Sequence, residues 1–194
     1  QPRKRLELTM QGFRLFAEGK PSNVSLYMHC GNTDAKHIDV AELAKRLGIQ
    51  TRLIITGTVT GIQHVSDSKL NLIYNATDVG LNTGLGEGWG LPNMEHALTG
   101  APQLVPDHSA CAEIYKDCGI LIPTHSDLML DGGAMTIGRL VSPEAVAEAM
   151  EKIYTDKDLY KELAKKSVEK FSSKEYSWET IATTWDGIFH TVLQ

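Results

Sequence analysis

The chain has 194 residues, 42% of them hydrophobic and 22% charged, and 24 acidic side chains against 19 basic ones give a formal net charge of −5. That length suits one domain or one α/β half of a larger enzyme, with enough core to need no disulfide staples. The acidic balance argues against a general nucleic-acid binder, which needs a basic surface to displace counterions; no apolar run approaches a membrane span, and no signal peptide is visible.

The chain opens on a basic stretch, Arg3-Lys4-Arg5, after which Leu6, Met10, Phe13 and Ala17 fall on one face of a first helix. The β-prone run Ser25–Cys30 follows. Val40, Leu43, Ala44 and Leu47 mark a second helix that stops at Gly48. Arg52–Gly57 reads as a strand, and Leu70, Ile73 and Tyr74 mark a third helix. After a strand over Asp78–Thr83, Pro92 opens a fourth helix where its missing N–H costs nothing, and Gly100 closes it. Two further strands, Gln103–Val105 and Gly119–Ile122, flank a short helix through Tyr115 for which Ser109 is the expected N-cap. These strands are short and unalternating, as strands buried on both faces are.

Residues from Pro123 to Val141 contain glycine, lack a clear period, and read as a surface loop. Ser142-Pro143-Glu144 then starts a helix carrying Val146, Met150 and Ile153. A second helix carries Leu159, Leu163 and Phe171. A third places Trp178, Ile181, Trp185, Ile188 and Val192 on one stripe, so Trp178 and Trp185 read as core packing. The expected fold is a single α/β domain over 1–194. It has a Rossmann-like parallel sheet flanked by helices, and a helical C-terminal tail, 143–194, packing on it.

Three cysteines without a CxxC, Cys30, Cys111 and Cys118, read as reduced thiols, and no tight Cys/His pairing suggests zinc. The seven histidines form no H-x-x-x-H pair and read mostly as surface or satisfied core residues.

The informative segment is Gly84-Leu85-Gly86-Glu87-Gly88-Trp89-Gly90-Leu91-Pro92-Asn93-Met94-Glu95, which follows a strand and enters a helix. Glycines let the backbone turn sharply and approach a ligand, and the helix start directs free N–H groups toward the turn. Glu87 on the turn and Glu95 about one helical turn further in are carboxylates suited to the paired hydroxyls of sugars. Either glutamate alone reads as a charge complementing a helix dipole or as a solvated side chain; the whole segment together points to a nucleotide-sugar site. Neither nucleotide-fold fingerprint competes: the last glycine of a G-x-G-x-x-G falls on Trp89, and no G-x-x-x-x-G-K-[ST] occurs.

Glu87-Gly-Trp-Gly-Leu-Pro-Asn-Met-Glu95 resembles the E-x7-E motif of family 4 retaining glycosyltransferases of the GT-B fold, with Trp89 where the family has Phe or Tyr. Ser109, Glu113, Gly119, the P-E-A-V-A-E-A helix and the late S-W-E-T-I-A extend the resemblance over most of the chain. It implies the donor-binding C-terminal half of such an enzyme. The activity implied is retaining transfer of a hexose from GDP-mannose or a UDP-hexose to a glycan, lipid or protein acceptor, with no metal or other cofactor. Glu87 then holds hydroxyls of the transferred sugar, and the amides of Gly88, Trp89, Gly90 and Leu91, next to Gly86, meet the sugar and its phosphate. Glu95 accepts from the ribose, and Lys4 neutralises the diphosphate, with Arg3 and Arg5 as weaker candidates. His108 is a further candidate to face the phosphates, and the Gly57-Thr58-Val59 turn sandwiches the base.

The family's acceptor-binding N-terminal domain and its phosphate-binding arginine are expected to precede Gln1, so this chain alone is expected to bind donor without efficient transfer. A cytoplasmic location is expected, with peripheral membrane association through the other half as a variant. The alternatives are a non-catalytic nucleotide-sugar-binding or assembly module, or another GT-B enzyme such as a sugar-nucleotide epimerase.

Overall fold

The computed structural model describes residues 2–30, 38–56, 65–129 and 136–193. A 3-10 turn at Pro2–Lys4 leads into α1 (Leu6–Ala17), and the first parallel pair is β1 (Leu26–Met28) with β2 (Leu53–Ile55) across α2 (Val40–Leu47). After α3 (Asp67–Asn75), the strands β3 (Gly80–Leu81), β4 (Gln103–Pro106) and β5 (Gly119–Ile122) form a second parallel ladder in the order β3-β4-β5. They alternate with α4 (Leu91–Ala97) and α5 (Ser109–Tyr115). The mixed α/β, Rossmann-like architecture is the one the alternating pattern predicts. Among the described residues its parallel strands hydrogen-bond as two ladders rather than one sheet. The ladders share a core: Leu26 and Met28 of β1 cluster with Leu104 of β4 and Ile122 of β5.

Local chemistry sets the helix ends. Asp39 accepts from the Glu42 amide at 2.9 Å at the start of α2, and Gly48 ends that helix in the left-handed region. The same capping by a side-chain oxygen starts α3 (Ser66), α6 (Pro143–Thr155, capped by Ser142), α7 (Lys157–Phe171, by Asp156) and α8 (Trp178–Val192, by Ser177). Helices α1 and α6 meet closely at Gly12, where a methyl group would lie 2.6 Å from Val146 Cβ and 3.1 Å from the Pro143 carbonyl oxygen. Val146 is fully buried, so the absence of a side chain at position 12 sets this helix spacing.

Two expectations for the chain beyond Ile122 need correction. The stretch expected to be a loop carries an antiparallel ribbon, β6 (Thr124–Met129) with β7 (Ile137–Val141). Most of β6 is exposed, so it has none of the inward-outward alternation by which a half-buried strand is recognised. The apolar stripe of α8 does not enter the core either: the helix has no buried residue, and Trp178 and Trp185 are 77% and 54% exposed. Helical periodicity shows which residues share a face, not what covers it. By contrast α6 buries Val146, Met150 and Ile153, and α7 buries Leu163 and Phe171. Among the described residues no helix is long and apolar enough to cross a membrane.

Candidate functional site

The Gly84–Gly90 turn leaves β3 and enters α4 at the carboxyl end of the parallel strands, where open α/β sheets gather their ligands. Its first half is held from three directions. The Leu85 amide donates to the Arg3 carbonyl at 2.8 Å. The Leu85 carbonyl accepts from the Arg139 amide of β7 at 3.0 Å and is also hydrogen-bonded by His108 Nε2. The β6–β7 ribbon therefore braces the turn, and the His108 nitrogen facing it is engaged with backbone.

Glu87 is the centre of a charged cluster, its side chain only 8% exposed. Lys4 Nζ pairs with Oε1, and Arg3 reaches Oε2 at 3.4 Å while also donating to the Gly86 carbonyl at 3.3 Å. The Asn82 amide stands 3.5 Å from Oε1. Burial by itself raises the carboxyl's pKa, but Lys4 above all, then Arg3 and Asn82, outweigh it and hold the group below its ordinary value. The neighbouring Cys111 thiol is pushed up to about 11, by burial and then by the Glu87 charge, and stays neutral.

A line of side-chain amides ties this cluster to the core. Asn82 donates to Asn93 Oδ1 at 3.0 Å, Asn93 to Gln103 Oε1 at 2.9 Å, and Gln103 to the Ala101 carbonyl at 2.8 Å. Asn82 Oδ1 also accepts from the Gly84 amide at 2.8 Å, which fixes the start of the turn. Thr83 Oγ1 lies 3.2 and 3.0 Å from the Lys4 and Arg5 carbonyl oxygens and so docks the N-terminal segment onto the turn.

Ser109 is not the N-cap the sequence suggests. That position falls to His108, whose side chain makes no capping bond, and Ser109 itself adopts φ 54°. Its hydroxyl instead accepts from the Glu87 amide at 3.2 Å. Among the described residues the other non-glycine residue in the left-handed region is Arg5, on the other flank of the same cluster. Conformations of this kind persist where surrounding contacts over-determine them, and they gather at functional sites.

The second half of the turn is open. Gly88, Trp89 and Leu91 are exposed, and Gly90 takes φ 82° at the start of α4 with no side-chain cap on the helix. The Trp89 indole N–H points to Met94 Sδ at 3.2 Å, and its ring lies 6.0 Å from that of Tyr176. Glu95 belongs to a different network from Glu87. It is exposed and accepts from Tyr74 Oη at 2.8 Å, and the Tyr74 ring stacks on His96 at 5.5 Å. Burial, then the bond to Glu95, keeps the Tyr74 hydroxyl protonated well above its ordinary range. Gly57, Thr58 and Val59 lie outside the described residues.

Of the residues singled out from the sequence, the structure thus brings together Lys4, Gly86 and Glu87, places Gly88, Trp89, Gly90 and Leu91 on the adjoining turn, and sets Glu95 on the α3 side. Asn82, Asn93 and Tyr74 are site neighbours that the motif does not single out. The position of Asn82 at the end of a strand is the one signal that could have raised it.

No protein-family model and no curated protein sequence matches this chain. Solved structures do. The C-terminal domain of a group 1 family glycosyl transferase, LpcC from Francisella tularensis, superposes with a TM-score of 0.68 at 17% identity, over 90% of this chain and 80% of that one. HepE from Anabaena, solved with UDP and glucose, gives 0.73 at 16% identity, and sucrose-phosphate synthase from Thermosynechococcus elongatus gives 0.68 at 18%. These two are covered over 98% and 100% of this chain but only 46% and 43% of their own length, so the chain spans less than half of each. At such identities the likeness is one of fold, and that fold is the Rossmann-like one of a glycosyltransferase C-terminal domain.

Proposed function

We propose that this domain binds the nucleotide-sugar donor of a retaining hexosyltransferase, with the diphosphate at Lys4 and Arg3 and the sugar at Glu87. The observation that carries this reading is the Lys4–Glu87–Arg3 cluster on a glycine-rich turn at the carboxyl end of a parallel sheet, in a fold shared with glycosyltransferase C-terminal domains. An anion site and a hydroxyl-accepting carboxylate stand side by side, as a sugar diphosphate requires. The amides of Gly88 to Leu91 contact the sugar and its phosphate, and Glu95 with Tyr74 meets the ribose. Lys4 and Arg3 stabilise the charge on the departing diphosphate without a metal ion. Transfer to a glycan, lipid or protein acceptor needs an acceptor-binding domain beyond this chain.

The donor favoured is a UDP-hexose, because HepE was solved with UDP and glucose; GDP-mannose is the second candidate. Calorimetry with UDP-glucose, GDP-mannose and the corresponding diphosphates is the test. Saturable binding of one pair, unchanged by EDTA and lost in Lys4→Met, is expected. Heat from none of the four ligands would overturn the reading.

A further inference from the structure

We infer that Glu87 makes the site select sugar-bearing diphosphates over bare ones, because it competes with the diphosphate for the same two cations. The inference rests on the donor-site reading above and adds a discrimination that the reading does not contain.

Both carboxylate oxygens of Glu87 are engaged, Oε1 by Lys4 and Asn82, Oε2 by Arg3. The carboxylate is nearly buried, whereas Lys4 and Arg3 are 35% and 45% exposed. An arriving diphosphate therefore meets the cations from their open side and must draw them away from Glu87. Among the described residues Lys4 and Arg3 are the cations paired with this carboxylate. Of the groups nearby, Arg139 is held by Asp127 at 3.1 Å, the Cys111 thiol is neutral, and His108 Nε2 is on the Leu85 carbonyl.

A bare diphosphate that takes both cations leaves Glu87 with the Asn82 amide alone, and a buried carboxylate stripped of its partners is costly. A hexose attached to the diphosphate removes that cost, since its hydroxyls donate to the vacated oxygens. The cations pass to the phosphates and the carboxylate passes to the sugar, so each charge keeps a partner. Once the sugar has left, the same competition returns Lys4 and Arg3 to Glu87 and assists release of the nucleoside diphosphate.

The decisive variant is Glu87→Gln, which keeps the shape and the contact with Asn82 and frees both cations. Titration calorimetry compares inorganic pyrophosphate, UDP and UDP-glucose on wild type and variant, with circular dichroism as the check of folding; Glu87→Ala serves if the first variant does not fold. In wild type UDP-glucose binds more tightly than UDP. In the variant pyrophosphate and UDP tighten by about tenfold, the scale expected for removing one competing charge, and the advantage of UDP-glucose disappears. Nucleotide binding by wild type with no tightening in a folded variant overturns the competition and leaves the donor site standing. Binding of no diphosphate by either protein, with GDP and GDP-mannose included, overturns both.

Discussion

The amide of Glu87 donates to the hydroxyl of Ser109 at 3.2 Å, and Ser109 reaches that place in a left-handed backbone conformation. Glu87 lies on the turn after β3 and Ser109 opens α5 after β4, so this bond, with those of the Ala110 amide to the Glu87 carbonyl at 3.4 Å and of His108 to the Leu85 carbonyl, couples the glycine-rich turn to the next helix start. Ser109→Ala keeps the unfavourable φ and removes the acceptor. Thermal unfolding should show a loss of about 1 kcal/mol, and donor affinity should fall with it. Ser109→Gly should recover part of the stability, because glycine adopts this φ without strain, but not the affinity.

Tyr74 and Glu95 form a polar pair between α3 and α4. Tyr74→Phe removes the 2.8 Å hydrogen bond and keeps the ring stacked on His96. If this pair meets the ribose, nucleotide affinity should drop by about 0.5–1.5 kcal/mol while pyrophosphate binding stays as in wild type. Equal losses for both ligands would place the pair elsewhere.

Gly12 offers a test of the scaffold. Alanine is the better helix former by about 1 kcal/mol, yet here its methyl would run into Val146 and the Pro143 carbonyl. Overpacking should win, and Gly12→Ala should destabilise by about 1–3 kcal/mol in chemical denaturation. Pairing it with Val146→Ala should recover part of that loss, since the two side chains occupy one space.

The Glu87 carboxyl sets an acid limit. Its folded pKa is lowered below the unfolded value near 4.5, so the folded state favours the ionised form. The resulting stabilisation is fully present above the unfolded pKa and is lost as the pH falls through the folded one. The midpoint difference between wild type and Glu87→Gln should therefore be largest near neutrality and shrink on acidification below about pH 4.5. A difference that grows in acid would contradict the ion-paired geometry.

The α/β alternation, the end of α2 at Gly48, the starts of α4 and α6 and the turn that carries Glu87 are legible in the sequence. These follow from period, capping side chains and glycine placement, which act within a few residues. Tertiary structure decided the partners. Lys4 meets Glu87 from 83 positions away, Ser109 leaves its expected capping role to hold a loop, and Asn82 enters through a line of amides that ends in the core. It also decided that the α8 stripe stays uncovered and that an exposed stretch pairs with itself as a ribbon bracing Leu85. A local pattern fixes which way a side chain faces; what stands opposite depends on how distant segments pack, and no short stretch of sequence encodes that.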